Sequence, residues 1–253
     1  MNKILGKLLR KAGIHIGSRK EYESLLQECQ RGNEHLKLLP QLDSKHVNSA
    51  KSQFGQDIVA LLASKIKRKG YFVEFGATDG RRYSNTHWLE KKFDWNGIVA
   101  EPLPSWHRKL NRNRNCIIDK RCVWSSTGTV IEFLDVHNRE LSTARQYADS
   151  DNYYNARMDS NVINVETVSL RDLLAFHKAP KVIDYMSIDT EGSEFDILKN
   201  FPFHEYQFNF MSVEHNFTPN RQKIRDLLWK NGYKPILDKI SECDDWFAPR
   251  WLA

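Results

Sequence analysis

A chain of 253 residues with 28% charged and 11% aromatic side chains is long enough for one well-buried α/β domain and a small appendage. It has no apolar run long enough to span a bilayer, no fixed-period repeat and no low-complexity stretch. The net charge is +6, supplied entirely by Lys3, Lys7, Arg10, Lys11, Arg19 and Lys20, and the rest of the chain balances 32 basic against 32 acidic side chains. A nucleic-acid binder would spread its positive charge over the domain, so no nucleic-acid partner is expected.

In chain order, residues 1–14 place Ile4, Leu5, Leu8, Leu9 and Ala12 at helical spacing among the basic residues. Such a short basic amphipathic helix either packs on its own domain or gives residues 1–20 peripheral contact with an anionic membrane. A second helix over 21–39 ends at Pro40, and 41–51 read as a polar linker. A helical extension over 1–51 therefore precedes a domain over 52–253. The N-terminus shows neither a long apolar stretch nor a small-residue cleavage site, so no secretory signal is expected. Cys29, Cys116, Cys122 and Cys243 form no C-x-x-C pair and no zinc spacing, which predicts a reduced, cytoplasmic protein.

The domain opens with a helix predicted over 53–69, with Ile58, Leu61, Leu62 and Ile66 on one face and Gly70 as its stop. Strands follow at 71–76, 97–101, 115–119, 182–188 and 208–214, alternating with helical or mixed connections. This alternation predicts βαβ crossovers and a largely parallel sheet. Extra strands at 129–136 and 162–168 flank a polar segment, 137–161, whose Arg145, Tyr147, Tyr153, Tyr154 and Arg157 suit an acceptor lid. A helix over 220–231 leads to a closing antiparallel hairpin from 232–237 and 246–249. The expected fold is α/β, with a mostly parallel seven-stranded sheet.

The chemistry gathers at strand ends, where open α/β sheets bind ligands. Residues 71–80 read Y-F-V-E-F-G-A-T-D-G, in which Gly76 and Gly80 can take positive φ and admit a ligand close to the backbone. The spacing is E-x-G-x-x-x-G rather than the G-x-G-x-x-G of dinucleotide sites. Glu74 and Asp79 repel phosphate and attract a cationic, hydroxyl-rich ligand, and S-adenosylmethionine fits that description. Glu101 ends the second strand 25 positions after Gly76, where its carboxylate can accept two hydrogen bonds from a ribose diol, and Pro102 stops the strand.

Asp189 and Glu191 follow one apolar strand, and Glu214, His215 and Asn216 end the next. Adjacent strands would merge them into one pocket. Two uses fit. His215, Glu191 or Glu214 acts as a general base toward a hydroxyl acceptor, or Asp189, Glu214 and Asn216 bind Mg²⁺ or Mn²⁺ to acidify it. A structural role for the His215 ring stays open beside these. Glu194 suits the first turn of the following helix. The Asn216-Phe217-Thr218 sequon follows a buried strand and reads as chance.

Ser52-Gln53-Phe54-Gly55-Gln56-Asp57, Val73 to Gly80, Ser84-Asn85-Thr86, Trp95 to Pro102, Ser187 to Glu194 and Val213 to Asn216, in that order, resemble the FkbM family of S-adenosylmethionine-dependent methyltransferases. The resemblance covers about residues 52–250. It implies a Rossmann-like class I methyltransferase fold and O-methylation of a sugar hydroxyl in a glycan, polysaccharide or glycolipid, or of a natural-product hydroxyl. It also implies cofactor contacts at Gln56, Glu74, Gly76, Ala77, Asp79, Gly80, Asn85, Glu101, Pro102 and Asp189. Asp189, Glu191, Glu214 and His215 fall at its reaction centre. Thr78 replaces a frequent Asn, and Cys122-Val123-Trp124 is bulkier than the family's small stretch. The alternatives are a nucleic-acid methyltransferase and a non-catalytic module that binds S-adenosylmethionine or a glycan.

Overall fold

A computed structural model of the protein describes residues 48–238 and 241–252. The helices expected over 1–14 and 21–39 lie outside the described residues. No helix among those described is long and apolar enough to cross a membrane.

In chain order the strands are β1 (Tyr71–Phe75), β2 (Asn96–Ala100), β3 (Ile117–Asp119), β4 (Cys122–Trp124), β5 (Val130–Val136), β6 (Thr143–Ala144), β7 (Ser160–Ser169), β8 (Val182–Ile188), β9 (Gln207–Glu214), β10 (Tyr233–Ile236) and β11 (Asp244–Pro249). The α-helices are α1 (Gln56–Ala63), α2 (His87–Phe93), α3 (Pro104–Asn113), α4 (Tyr154–Arg157), α5 (Leu170–Phe176), α6 (Glu194–Lys199) and α7 (Asn220–Lys230). Seven strands form one mixed sheet in the order β10-β11-β9-β8-β1-β2-β3. Its β3-β2-β1-β8-β9 part is parallel, and β11 and β10 close it antiparallel.

Two strands join the nine read from the sequence, and beside the main sheet, which is mixed, β4-β7-β5-β6 form a second, four-stranded sheet. Two of its members are the extra strands read from the sequence. The others, β4 and β6, are three and two residues long, too short to show a two-residue period. The bulky Cys122 and Trp124 of β4 pack with Leu103, Phe133, Ala144 and Val165 between the second sheet and the loop after β2.

Side chains alternate across the main sheet as strand geometry requires. Phe72, Tyr185, Phe210 and Trp246 face α1 and α2. Val73, Met186, Met211 and Phe247 face α5, α6 and α7. Burying each such side chain contributes about 1.5–3 kcal/mol relative to exposure.

The helix predicted over 53–69 is shorter than expected. It stops at Ala63, and Lys65, Ile66 and Lys69 take φ values of 54°, 56° and 57°. This tight turn keeps Ile66 against the core while Lys67 Nζ meets Asp184 Oδ2 at 2.8 Å. At the other end of the domain, β11 starts at Asp244, two residues earlier than expected, and pairs Asp244 with Glu214. The chain reverses sides between β1, whose successors β2 and β3 lie to one side, and β8. That switch point, at the carboxyl ends of β1 and β8, is where the candidate cavity opens.

Candidate active site

The cavity measures about 370 Å³, within the usual range for small-ligand sites. Its first wall is the turn after β1. Gly76 has φ of 73°, and a Cβ there would lie 1.9 Å from the carbonyl oxygen of Asp189. Only glycine lets β1 and β8 approach this closely. Ala77 and Pro102 also line the cavity. Asp79 and Gly80, expected at the cofactor, do not. The Asp79 carboxylate turns back to accept from the backbone N–H groups of Arg81 and Arg82, 2.8 Å each. Gly80 packs instead under Leu110 and Arg114.

Glu74 reaches the wall, but its oxygens are taken. They accept from Ser84 Oγ at 3.0 Å, Thr86 Oγ1 at 2.5 Å and the Asn85 N–H at 2.7 Å. Arg114 Nη1 pairs with Oε2 at 3.0 Å, and Arg114 Nε binds Glu90 at 2.6 Å. Glu74 thus props the 84–86 loop from behind. This network was not apparent from the sequence, because Arg114 comes from the end of α3 and carries no motif.

The loop it holds presents Asn85 to the cavity. Asn85 Nδ2 donates to Ser187 Oγ at 2.9 Å, while Oδ1 is buried with no hydrogen-bond partner among the described residues. A buried acceptor left unpaired is costly and calls for a donor. Gln56 sits behind the wall. It accepts from the N–H of the lining residue Phe54 at 2.9 Å and donates to Asp244 at 2.8 Å.

Glu101 stands at the end of β2, where Pro102 turns the chain. Its two carboxylate oxygens accept from the N–H groups of Thr78 at 2.8 Å and Leu103 at 2.9 Å. Each keeps a lone pair for a ligand. Burial pushes this carboxyl up to about 7, against the opposing pull of those backbone donors.

The cavity floor is acidic. Parallel pairing of Ile188 with Val213 brings the ends of β8 and β9 side by side. Oxygens of Asp189, Glu191 and Glu214 all lie within 4.8 Å of one another. Burial, then the charge of Asp244, raises Asp189 to about 7. Burial and the neighbouring Asp189 push Glu191 and Glu214 well above the usual carboxylate range. Arg157 opposes this at Glu191, with Nη2 2.7 Å from Oε2. Glu214 Oε2 is buried without a hydrogen-bond partner among the described residues. Three carboxylates this close share protons or gather a cation.

The oxygen cluster differs from the trio expected to bind a metal. Glu191 joins Asp189 and Glu214 in it, while Asn216 also lines the cavity and donates through Nδ2 to Glu191 Oε2 at 3.4 Å. His215 is also displaced from its expected role. It does not line the cavity, its Nδ1 accepts from the N–H of Phe217 at 3.0 Å, and its Nε2 lies 3.8 Å from Asp245. Burial lowers its pKa to about 4, so the ring is neutral. His215 lies one residue past β9, and its side chain meets Asp245 while Glu214 lines the cavity. Glu194 serves its turn as expected, accepting from Thr190 N at 2.9 Å and Gly192 N at 3.1 Å.

Segment 137–161 roofs the cavity in part. Tyr153 lines it, but Arg157 is a buried strut rather than an acceptor contact. It donates to the carbonyls of Leu141 at 2.9 Å and Ala148 at 3.3 Å, and pairs with Asp151 as well as Glu191. Tyr147 hydrogen-bonds Asp196, and Arg145 pairs with Glu132 at the surface. Arg82 and Arg139 reach the rim from two different loops. The sequence carries no signal for that convergence.

No curated protein matches the chain. Among solved structures it is similar to a chain of the crystal structure of a fibrillarin/Nop5p complex, at 11% identity over 78% of this chain and 82% of that one, with a TM-score of 0.37. The family described as Methyltransferase FkbM domain matches residues 74–235, and the chain belongs to that methyltransferase family.

Proposed function

We propose that the protein is an S-adenosylmethionine-dependent O-methyltransferase whose acceptor is a sugar hydroxyl of a glycan, polysaccharide or glycolipid. The observation that carries this reading is the convergence of Asp189, Glu191 and Glu214 on the floor of a cavity walled by Gly76 and Glu101. The residues present fit the donor. Its ammonium and sulfonium suit an acidic floor and the unpaired Asn85 Oδ1, and its ribose diol suits the remaining lone pairs of Glu101. The turn after β1 offers no phosphate-binding pattern. When bound, S-adenosylmethionine supplies an electrophilic methyl group.

The protein's own work is alignment and proton removal. Glu214 receives the acceptor's hydroxyl proton at Oε2, the buried oxygen that has no partner of its own. Its raised proton affinity makes the ionised form a strong base, and general-base assistance contributes roughly 10²–10⁴-fold. Arg157 holds Glu191 toward its ionised form and fixes its rotamer. Asp189, Glu191 and Glu214 also offer the hard oxygen donors that Mg²⁺ or Mn²⁺ prefers. A divalent ion there would acidify the same hydroxyl. Tyr83 and Tyr153, both exposed at the mouth, present aromatic faces on which a sugar ring can lie.

Calorimetric titration with S-adenosylhomocysteine, with Mg²⁺ and with EDTA, tests the donor site. Micromolar binding supports the reading, and a difference between the two conditions assigns an ion to the acidic floor. A flat titration in both conditions refutes the methyl-transfer reading and favours a non-catalytic module. Radiolabelled methyl transfer to polysaccharide and glycolipid fractions then tests the acceptor.

A further inference from the structure

The cavity is electrically polar along its depth. Three carboxylates form the floor, while the rim carries Arg82, from the loop after β1, and Arg139, from the 3₁₀ turn Arg139–Leu141 after β5. Both guanidinium groups line the cavity yet remain solvent-facing, with side chains 63% and 48% exposed. Their ion pairs are long. Arg82 Nη1 lies 3.4 Å from Glu140, and Arg139 Nε lies 3.4 Å from Asp135. Exposed pairs of this kind contribute little stability, so a ligand can replace them at little loss. The Arg82 guanidinium also lies 4.7 Å from the centroid of the Tyr83 ring, which keeps it at the mouth.

We propose, on the reading of this cavity as a methyl-transfer site, that the acceptor is an acidic sugar whose carboxylate or phosphate is bound at the rim by Arg82 and Arg139. Planar guanidinium groups favour bidentate pairing with either anion. The field along the cavity then orients the acceptor. An anion held at the rim directs the far side of the sugar, with its hydroxyls, toward Glu214. The reverse orientation drives the anion against Asp189, Glu191 and Glu214 and is repelled. Two acids stand beside this rim, Glu140 on Arg82 and Asp135 on Arg139, each in a long pair that an incoming anion can displace.

The test titrates the protein, with and without saturating S-adenosylhomocysteine, with D-glucuronate, D-glucose 6-phosphate and D-glucose. Saturation-transfer NMR follows the weak binding. The expected result is that at least one anionic sugar binds about tenfold or more tightly than glucose, the scale of one charge-assisted pair. The tighter of the two identifies carboxylate or phosphate as the recognised group. In the Arg82→Gln/Arg139→Gln variant that preference collapses to the glucose level, while the S-adenosylhomocysteine titration keeps its wild-type affinity. Three results overturn the proposal: glucose binding as tightly as both acidic sugars, no detectable binding of either acidic sugar, or an unchanged preference in the variant. A parallel loss of S-adenosylhomocysteine affinity also overturns it, by assigning the arginines to the donor. A flat S-adenosylhomocysteine titration beside intact, arginine-dependent sugar binding refutes methyl transfer and leaves the rim standing.

Discussion

Replacing Arg114 with Met tests whether Glu74 is a strut or a ligand. The Arg114 side chain has no solvent exposure, and those of its carboxylate partners Glu74 and Glu90 are 4% and 6% exposed. Met keeps an apolar side chain there but removes the guanidinium that lies over the Phe72 ring and leaves two buried carboxylates without their shared countercharge. Breaking a buried pair from one side costs about 3–5 kcal/mol. Lys91, 2.6 Å from Glu90, relieves one of the two orphans, so the middle of that range is expected. At roughly 2–4 °C per kcal/mol for a domain of this size, the melting temperature falls by about 8–16 °C. The second variant, Glu74→Gln with Arg114→Met, removes the unrelieved charge. It should be more stable than the sum of the single losses by about 1 kcal/mol or more. Because Glu74 also anchors the 84–86 loop, S-adenosylhomocysteine affinity should fall roughly five- to tenfold with the loss of one hydrogen bond's worth of positioning at Asn85. Urea denaturation and calorimetry read both effects. A stability loss below about 1 kcal/mol for Arg114→Met, or strict additivity of the pair, refutes the strut.

Gly76→Ala should abolish measurable S-adenosylhomocysteine binding, because its Cβ would lie 1.9 Å from the Asp189 carbonyl at a φ of 73°; wild-type affinity by calorimetry would contradict that packing. Glu101 links stability to pH, since its folded pKa is raised from 4.5 to about 7. The folded protein therefore holds its proton more tightly, and the associated stability is full below pH 4.5 and lost as pH rises to about 7. The loss amounts to about 3 kcal/mol. Glu101→Gln should make this slope shallower in urea titrations between pH 5 and 8, with Asp189 and Asp244 still contributing in the same direction, and an unchanged slope would place the titration elsewhere. Glu214→Gln should lower methyl transfer roughly 10²–10⁴-fold with donor binding retained. His215→Ala should leave turnover within about threefold once the folded fraction is corrected, since the ring faces Asp245 and not the cavity. The reverse ranking of those two variants would restore His215 as the base.

Much of the architecture was legible in residue order because it is local. Val73 and Phe75, the apolar run of β8, and glycines at the turn after β1 announce buried strands and close backbone approach within a few residues. The acids at 189, 191 and 214 could be placed together because parallel strands put their carboxyl ends at one edge of the sheet. What failed depended on contacts far apart in the chain. Nothing local distinguishes Glu74 held by Arg114 from Glu74 held open for a ligand. Nothing local reveals that Asp79 turns back on its own loop or that Arg157 is a buried strut. His215 looked catalytic beside Glu214, yet the chain leaves β9 there and its ring turns to Asp245 while Glu214 lines the cavity. Side-chain type and spacing therefore determined the principal strands and the acidic character of the pocket, since these follow from backbone periodicity and residue chemistry, whereas the strand order and its switch point came only with the fold. Only the tertiary structure decided which charges are already paired and which face the cavity, because pairing and desolvation depend on groups that meet only once the chain has folded.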